Sequence, residues 1–95
     1  GDHGQWCKHS NYEQATRAAL LMSAPGQKAA GGKTNALVEF VDIYPTLAEV
    51  CKLPGPPGVE GHSFAPLLDD PARPWKPAAF SQYPRGADGK PLMGY

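Results

Sequence analysis

The sequence has no basic run, no long apolar run and only two cysteines, and each shortage argues against a class of protein. Nine Lys and Arg are balanced by nine Asp and Glu, so the formal net charge is zero and we expect no nucleic-acid partner. The longest apolar run, at 18–22, is too short to span a membrane. The spacing of Cys7 and Cys51 is not that of a zinc site, and two unrelated thiols are favoured over a pair formed in an oxidising compartment.

Proline and glycine are abundant instead, with 11 of each in 95 residues. A chain of this length forms at most one small domain with a marginal core, while 41% hydrophobic residues argue against a disordered tail. The chain also begins with a polar segment and not with Met. We therefore expect a loop-rich piece of a longer protein, whose few elements depend on partner elements to close a core.

The clearest predicted element is a helix over 42–52. Asp42 is a candidate N-cap, and Pro45 fits the first turn because a helix start leaves its N–H groups unpaired. Leu53-Pro54 is expected to end the helix. Apolar residues at three- and four-residue spacing form an apolar stripe made of Ile43, Tyr44, Leu47, Ala48, Val50 and Cys51.

The segment before Pro25-Gly26 leaves two structures open. Asn11, with a glutamine three residues later, is typical of a capping box and predicts a helical turn at 12–16 or a helix that runs on to residue 22. A buried strand within 18–24 is the alternative, because periodicity does not separate helix from strand in so short a run.

Shorter elements are predicted in the rest of the chain. Residues 27–34 are polar and glycine-rich, which indicates an exposed loop. Ser63 is a candidate cap for a short helix that Asp69-Asp70-Pro71 closes. A strand is predicted over 78–82, and another is expected to start at 93–95.

The first thirteen residues carry the candidate chemistry, because they are polar, lack hydrophobic periodicity and cannot build a core. Lys8 is a candidate for holding an anionic oxygen of a sulfate or phosphate ester, since Trp6 would shield its ammonium from water and His3 and His9 flank it. A solvated surface lysine is the competing interpretation. Asp2-His3 is a weak metal candidate, because one adjacent pair supplies too few ligands.

The other polar candidates indicate no reaction by themselves. His62 lies in a turn and is expected to be structural, while Arg17 and Arg85 suit either a carboxylate partner or an acidic substrate. The sequence has no Gly-x-Ser-x-Gly elbow, and none of its serines has a convincing base partner.

Four ordered segments resemble the sulfatase family and together span nearly the whole chain. Residues 1–13 read Gly-Asp-His-Gly-Gln-Trp-Cys-Lys-His-Ser-Asn-Tyr-Glu and are similar to the sulfatase pattern Leu-Gly-Glu-His-Gly-x-Trp-x-Lys followed by Tyr-Glu. Residues 38–48 resemble the start of a family helix, and 59–68 resemble Glu-Gly-x-Ser-Leu-x-Pro-Leu-Leu. Residues 79–85, Ala-Phe-Ser-Gln-Tyr-Pro-Arg, together with 93–95, most resemble the iduronate-2-sulfatase branch.

The resemblance implies an α/β fold, namely a partial alkaline-phosphatase-like sulfatase domain over 1–95 with one main helix, one short helix and two or three short strands. It also implies hydrolysis of a sulfate ester by a formylglycine nucleophile with a calcium ion, both held by residues outside this chain. Lys8 matches the lysine that contacts the sulfate group, and His9, which follows it, is implied to line the pocket. Neither cysteine stands in the nucleophile pattern Cys-x-Pro-x-Arg.

The family has two acid-His pairs, of which only the upstream one binds the metal. The spacing to Trp6 and Lys8 places Asp2 and His3 on the second pair, so the resemblance implies structural support for them. In the minority interpretation, Asp2 and His3 are the metal ligands.

One departure from the family concerns the residues after Arg17. The family usually has Val-Pro there, whereas this chain has Ala18-Ala19. The resemblance implies a strand at about 18–23, and loss of the proline removes an obstacle to helix formation.

The leading functional interpretation is a fragment of a sulfatase that acts on a sulfated sugar, inactive on its own because the nucleophile and metal ligands lie elsewhere. The alternatives are a phosphate- or phosphonate-ester hydrolase of the same superfamily, or a small non-catalytic binding module. The expected partners are a sulfated small molecule or glycan and the remainder of the same domain. The resemblance implies a location in the periplasm, the extracellular space or the lysosome.

Overall fold

The computed structural model describes residues 2–4, 6, 9–55, 57–85 and 92–94, with the side chains of Asp2, 84–85 and 92–94 outside this description. The chain divides into two compact units. Unit 1 comprises 1–21 and 80–95, and unit 2 comprises 22–79.

Unit 1 contains a helical turn and a hairpin. Helix α1 is Glu13–Thr16, and strands β1, Tyr83–Arg85, and β2, Leu92–Gly94, pair antiparallel. The register places Tyr83 opposite Gly94, Pro84 opposite Met93 and Arg85 opposite Leu92. Residues 78–82 form no strand, so the strand predicted there is wrong, and β1 begins at the next residue. β2 overlaps the strand expected at 93–95.

Residues 17–24 form neither a helix nor a strand, so the helix predicted to reach residue 22 and the strand predicted within 18–24 are both wrong. Leu20 is 46% exposed and Leu21 is 88% exposed. Neither leucine is buried, and a short helix with little packing is unstable in water.

The start of α1 also differs from the prediction. Its N-cap is Tyr12, which makes no side-chain capping hydrogen bond. The Asn11 amide Nδ2 instead donates to the main-chain oxygen of Ser81 at 3.2 Å. The predicted capping box does not form, because the N-cap is Tyr12 and Asn11 Oδ1, the atom that would accept the capping bond, has no hydrogen-bond partner among the described residues.

Unit 2 is built around helix α2, Ile43–Val50, which follows a 3-10 turn at Phe40–Asp42. The helix predicted over 42–52 is therefore confirmed to within two residues. It ends in a Schellman motif, in which Leu53 N donates to Ala48 O at 2.8 Å and Lys52 N donates to Glu49 O at 3.0 Å. Lys52 takes the left-handed backbone, with φ of 55°, that glycine usually supplies.

Helix α3, Ala65–Asp69, packs against α2 and confirms the short helix predicted after Ser63. Its N-cap is Phe64, one residue later than predicted. The Ser63 hydroxyl oxygen still accepts a hydrogen bond from Ala65 N at 3.3 Å, so it satisfies the N–H of the first helical residue.

The loop at 27–34 is mostly exposed, as predicted, and is tied to the end of α3. Ala29 N donates to Leu68 O at 3.1 Å, and Lys28 N donates to a carboxylate oxygen of Asp69 at 2.9 Å. The first of these bonds satisfies a carbonyl that the helix end leaves unpaired.

The core of unit 2 is small and partly polar. Its buried apolar side chains are Ala48, Phe64 and Leu67, while Asp42 and Thr46 are fully buried beside them. The Thr46 hydroxyl donates to Asp42 O at 2.6 Å and accepts from Phe64 N at 2.9 Å. One hydroxyl therefore joins the start of α2 to the start of α3.

The apolar stripe on α2 is only partly buried, since Ala48 is buried and Ile43 and Val50 are half-buried. Tyr44 is 62% exposed, Leu47 is 46% exposed and Cys51 is an exposed free thiol. Phe40, which precedes Tyr44 by four residues, is also exposed. α2 turns Thr46 inward because its hydroxyl has two buried hydrogen-bond partners, and this orientation leaves much of the apolar stripe outside.

None of the helices in the described ranges has the length and apolar character needed to cross a membrane.

Gly61 lies where its backbone passes very close to the backbone of Val41 and Asp42. A Cβ atom at Gly61 would stand 2.0 Å from Val41 O and 2.9 Å from Asp42 N, which is impossible without movement of the backbone. We therefore predict that Gly61→Ala lowers the free energy of unfolding by about 3 kcal/mol. Gly55→Ala is the matched control, because a Cβ there meets no atom within 4 Å.

Urea unfolding followed by Trp75 fluorescence in a Trp6→Phe background measures both variants. Equal stability of the Gly61 and Gly55 variants would contradict the close approach.

Candidate functional site

Trp6, whose indole is predicted to exclude water from Lys8, is itself 92% exposed. Because Lys8 lies outside the described residues, this shielding stays a prediction. Cys7 and Lys8 lie outside the described residues. The role of Lys8 therefore stays a prediction from the motif.

His3 is exposed and lies in a 3-10 turn at Asp2–Gly4 with a left-handed backbone, φ 52° and ψ 27°. This conformation is uncommon for a residue with a Cβ. Among the residues that the structure describes, no three His, Cys, Asp or Glu side chains converge as metal ligands. The side chain of Asp2 lies outside them, so both interpretations of the Asp2-His3 pair stay predictions.

His9 stacks on the ring of Tyr83. The ring centroids are 5.3 Å apart and the planes differ by 21°. His9 is exposed, whereas Tyr83 is half-buried, so the tyrosine offers a fixed surface to a histidine that is otherwise open to solvent. The separation lies within the range of favourable aromatic pairs. This contact is the best-defined feature around the predicted site residues.

The side-chain amide of Asn11 makes a second contact to the segment that contains Tyr83, through Ser81. Besides the hydrogen bond to Ser81 O, its Oδ1 atom is buried and has no hydrogen-bond partner among the described residues. A buried acceptor without a donor is unusual, because it has lost its hydrogen bonds to water.

The remaining basic candidates differ in their surroundings. Arg17 pairs with Glu13 at 3.0 Å, but both side chains are mostly exposed, so the pair contributes little stability. The N–H of His62 donates to Asp42 Oδ1 at 2.8 Å while its ring is exposed. The side chain of Arg85 lies outside the described residues.

The strongest charge cluster of the described residues lies in unit 2 and surrounds Lys76. Its ammonium contacts Glu39 Oε2 at 2.5 Å and Asp42 Oδ2 at 2.6 Å. The side chains of Lys76 and Glu39 are each 20% exposed and that of Asp42 is fully buried. Because the ammonium is bound by two carboxylates, we assign the cluster to holding the fold and not to binding a substrate.

The same contacts shift the pKa of both partners. Burial is the largest effect on Asp42 and raises its pKa, but the hydrogen bond from Lys76, the N–H groups of His62 and Glu39, and the lysine charge together lower the pKa below 3.8. Burial likewise lowers the pKa of Lys76, and the two carboxylates outweigh it and raise that pKa above 10.5.

A shallow cavity of about 400 Å³ lies beside this cluster in unit 2. Its lining residues are His62, Ser63, Arg73, Pro74, Trp75 and Lys76. The Trp75 indole N–H donates to Leu37 O at 3.0 Å, which fixes one wall.

Comparison with known proteins decides the family. The sequence profile described as "N-sulphoglucosamine sulphohydrolase, C-terminal" matches residues 1–88. The chain belongs to this sulfatase family. The resemblance that rested on the four sequence segments is thereby confirmed.

Within this family, the chain is similar to two sulfatases, iduronate 2-sulfatase and arylsulfatase K. It is 32% identical to iduronate 2-sulfatase of Mus musculus and 30% identical to that of Homo sapiens, over 93% of the chain and 24% of each relative. It is 41% identical to arylsulfatase K of Homo sapiens over 73% of the chain and 13% of that protein. The chain thus spans about a quarter and about an eighth, respectively, of these relatives. No solved structure matches the chain.

The alignment with the mouse protein covers 132 positions, more than the 95 residues of this chain. The mouse protein therefore carries additional residues within the aligned region.

Sequence analysis did not single out Lys76 or Tyr83. Lys76 stands in Pro-Trp-Lys-Pro, a context typical of an exposed loop, and its partners lie 34 and 37 residues away. Tyr83 belongs to the segment Ala79–Arg85 that resembles the iduronate-2-sulfatase branch, so that motif was the one signal that could have identified it.

The Lys76 cluster predicts how stability depends on pH. The lowered pKa of Asp42 gives stability that is complete above pH 3.8 and is lost as the pH falls through the folded-state value. The raised pKa of Lys76 gives stability that is complete below pH 10.5 and is lost as the pH rises through its folded-state value.

We predict that Lys76→Met lowers the free energy of unfolding at neutral pH by about 2 kcal/mol and moves acid unfolding to higher pH, because Asp42 loses its cation. Urea unfolding at a series of pH values measures both effects, with the exposed Lys33→Met as control. If acid unfolding of Lys76→Met occurred at the same pH as that of the wild type, the predicted effect of Lys76 on the pKa of Asp42 would be contradicted.

Proposed function

We propose that this chain forms part of a sulfatase that hydrolyses the sulfate ester of a sulfated sugar. The observation that carries the proposal is the family match over residues 1–88, which includes the Trp6-Cys7-Lys8 segment. The names of the relatives, iduronate 2-sulfatase and arylsulfatase K, support sulfate-ester chemistry. In this proposal, 1–95 belongs to an alkaline-phosphatase-like α/β domain.

Lys8 is the residue proposed to contact the sulfate group. Hydrolysis breaks the bond between sulfur and the sugar oxygen, so negative charge shifts among the oxygens of the ester. An ammonium can donate hydrogen bonds to these oxygens and offset their charge, most strongly where water is scarce. His9 is proposed to line the same pocket, since its ring nitrogens can donate to or accept from polar groups of the substrate.

The calcium ion and the formylglycine of the family do not fit the described residues of this chain. No three potential ligands converge there, and Cys51 is followed by Lys-Leu-Pro and not by x-Pro-x-Arg. We therefore propose that both groups are held elsewhere in the active protein, and we derive no step through them.

The resemblance also carries our proposal for location. A sulfatase of this kind is proposed to act outside the cytosol, in the periplasm, the extracellular space or the lysosome.

The proposal predicts a large kinetic effect at Lys8. In the protein that carries this sequence, Lys8→Ala lowers kcat/KM for a sulfated monosaccharide by about 10²- to 10³-fold, as loss of one charge-stabilising donor does elsewhere. Lys33→Ala is the matched control, because Lys33 is exposed in the loop of unit 2.

Thermal unfolding verifies that both lysine variants are folded. Near-normal turnover in a folded Lys8→Ala variant would remove Lys8 from the site. Cleavage of the corresponding phosphate ester but not of the sulfate ester would support the phosphatase alternative.

A second prediction separates the two interpretations of Asp2. If Asp2 is structural support, Asp2→Asn lowers the melting temperature and leaves the calcium affinity, measured by titration calorimetry, equal to that of the control Glu60→Gln. A calcium affinity that falls in Asp2→Asn alone would identify Asp2 and His3 as metal ligands and contradict our register.

A further inference from the structure

Two contacts join the segment that follows Lys8 to the segment at 81–83. The His9 ring stacks on Tyr83 with centroids 5.3 Å apart, and Asn11 Nδ2 donates to Ser81 O at 3.2 Å across 70 residues of sequence. His9 and Asn11 are two positions apart on the first segment, and Ser81 and Tyr83 are two positions apart on the second. All four residues belong to unit 1. Together they restrain both the ring of His9 and the backbone that carries it.

We propose that Tyr83 is a positioning residue for the substrate-binding segment, and that it acts by holding the His9 ring, with Asn11 as a second attachment. This inference rests on the proposed function, because it assigns Tyr83 to the site that contains Lys8 and His9.

The hairpin makes Tyr83 suitable for this role. Tyr83 begins β1 and is paired with Gly94 of β2, so its backbone is held by the strand pair. Side chains directly opposite each other in an antiparallel pair share one face, and a glycine opposite Tyr83 places no side chain there. The tyrosine ring is half-buried and therefore more restrained than the exposed imidazole that stacks on it.

The Asn11 amide adds a restraint of a different kind. Its hydrogen bond to Ser81 O attaches Asn11 to the chain just before β1. A misplacement of about 1 Å in a reacting or binding group can lower a rate by about 100-fold, so two weak restraints on such a segment have a kinetic effect larger than their effect on stability.

The first test is spectroscopic and does not depend on activity. In the protein that carries this sequence, labelled with ¹³C-histidine, the ring protons of His9 are expected to show a ring-current shift that the exposed His62 lacks. Tyr83→Leu is expected to abolish the shift and Tyr83→Phe to retain it. A His9 resonance that is the same in wild type and Tyr83→Leu would overturn the inference.

The second test is kinetic. Tyr83→Leu is expected to lower kcat/KM for the sulfated monosaccharide by about 10- to 100-fold, and Tyr83→Phe is expected to restore most of that loss. Tyr44→Leu is the matched control, because Tyr44 lies in unit 2 and is 62% exposed. Should Tyr83→Leu fail to fold, Asn11→Ala, which removes the other attachment, is expected to lower kcat/KM several-fold with the His9 shift reduced.

The outcomes separate this inference from the proposed function. An active wild type whose turnover is unchanged in Tyr83→Leu, although the His9 shift is lost, overturns the positioning role alone. A wild type that shows the His9 shift but cleaves no sulfate ester overturns the proposed function, and the positioning role with it.

Discussion

The buried carboxylate of Asp42 is the group on which unit 2 depends. It accepts hydrogen bonds from the N–H groups of Glu39 and His62 and from the ammonium of Lys76. A buried charge is unfavourable unless it is paired and hydrogen-bonded, so each donor must stay in place once Asp42 is inside. One side chain therefore holds together three segments that are distant in sequence. This polar arrangement compensates for an apolar core that contains few buried side chains.

The positions of the helices could be predicted because they depend on local chemistry. Pro45 suits the first turn of α2, and Leu53-Pro54 prevents its continuation. Which face of α2 is buried could not be predicted in the same way. Thr46 faces inward because Phe64 N, 18 residues away, donates to its hydroxyl, and no local pattern indicates such a partner. Asp42 is the N-cap residue of α2, as predicted, but its carboxylate makes no capping hydrogen bond and instead bonds to groups outside the helix, which no local pattern indicates.

For the candidate site, the sequence was informative about residue types and uninformative about contacts. The spacing of Trp6 and Lys8 along the chain is a property of the motif, and together with the three later segments it indicated the family. The stacking of His9 on Tyr83 joins residues from opposite ends of the chain, and no local pattern indicates it. The helix and the strand predicted between 18 and 24 also could not be judged from local sequence, because a short apolar run adopts regular structure only when other elements pack on it.

Amide hydrogen exchange at His62 and Phe64 tests the central role of the Asp42 network most directly. Each of these amides donates to a buried oxygen of Asp42 or Thr46, so we predict that both exchange as slowly as the interior amide of Ala48 in α2. The exposed Val59, in the same connection, is predicted to exchange fast. Exchange of His62 and Phe64 at the rate of Val59 would contradict the account, because the segment would then be free of the carboxylate that is said to hold it.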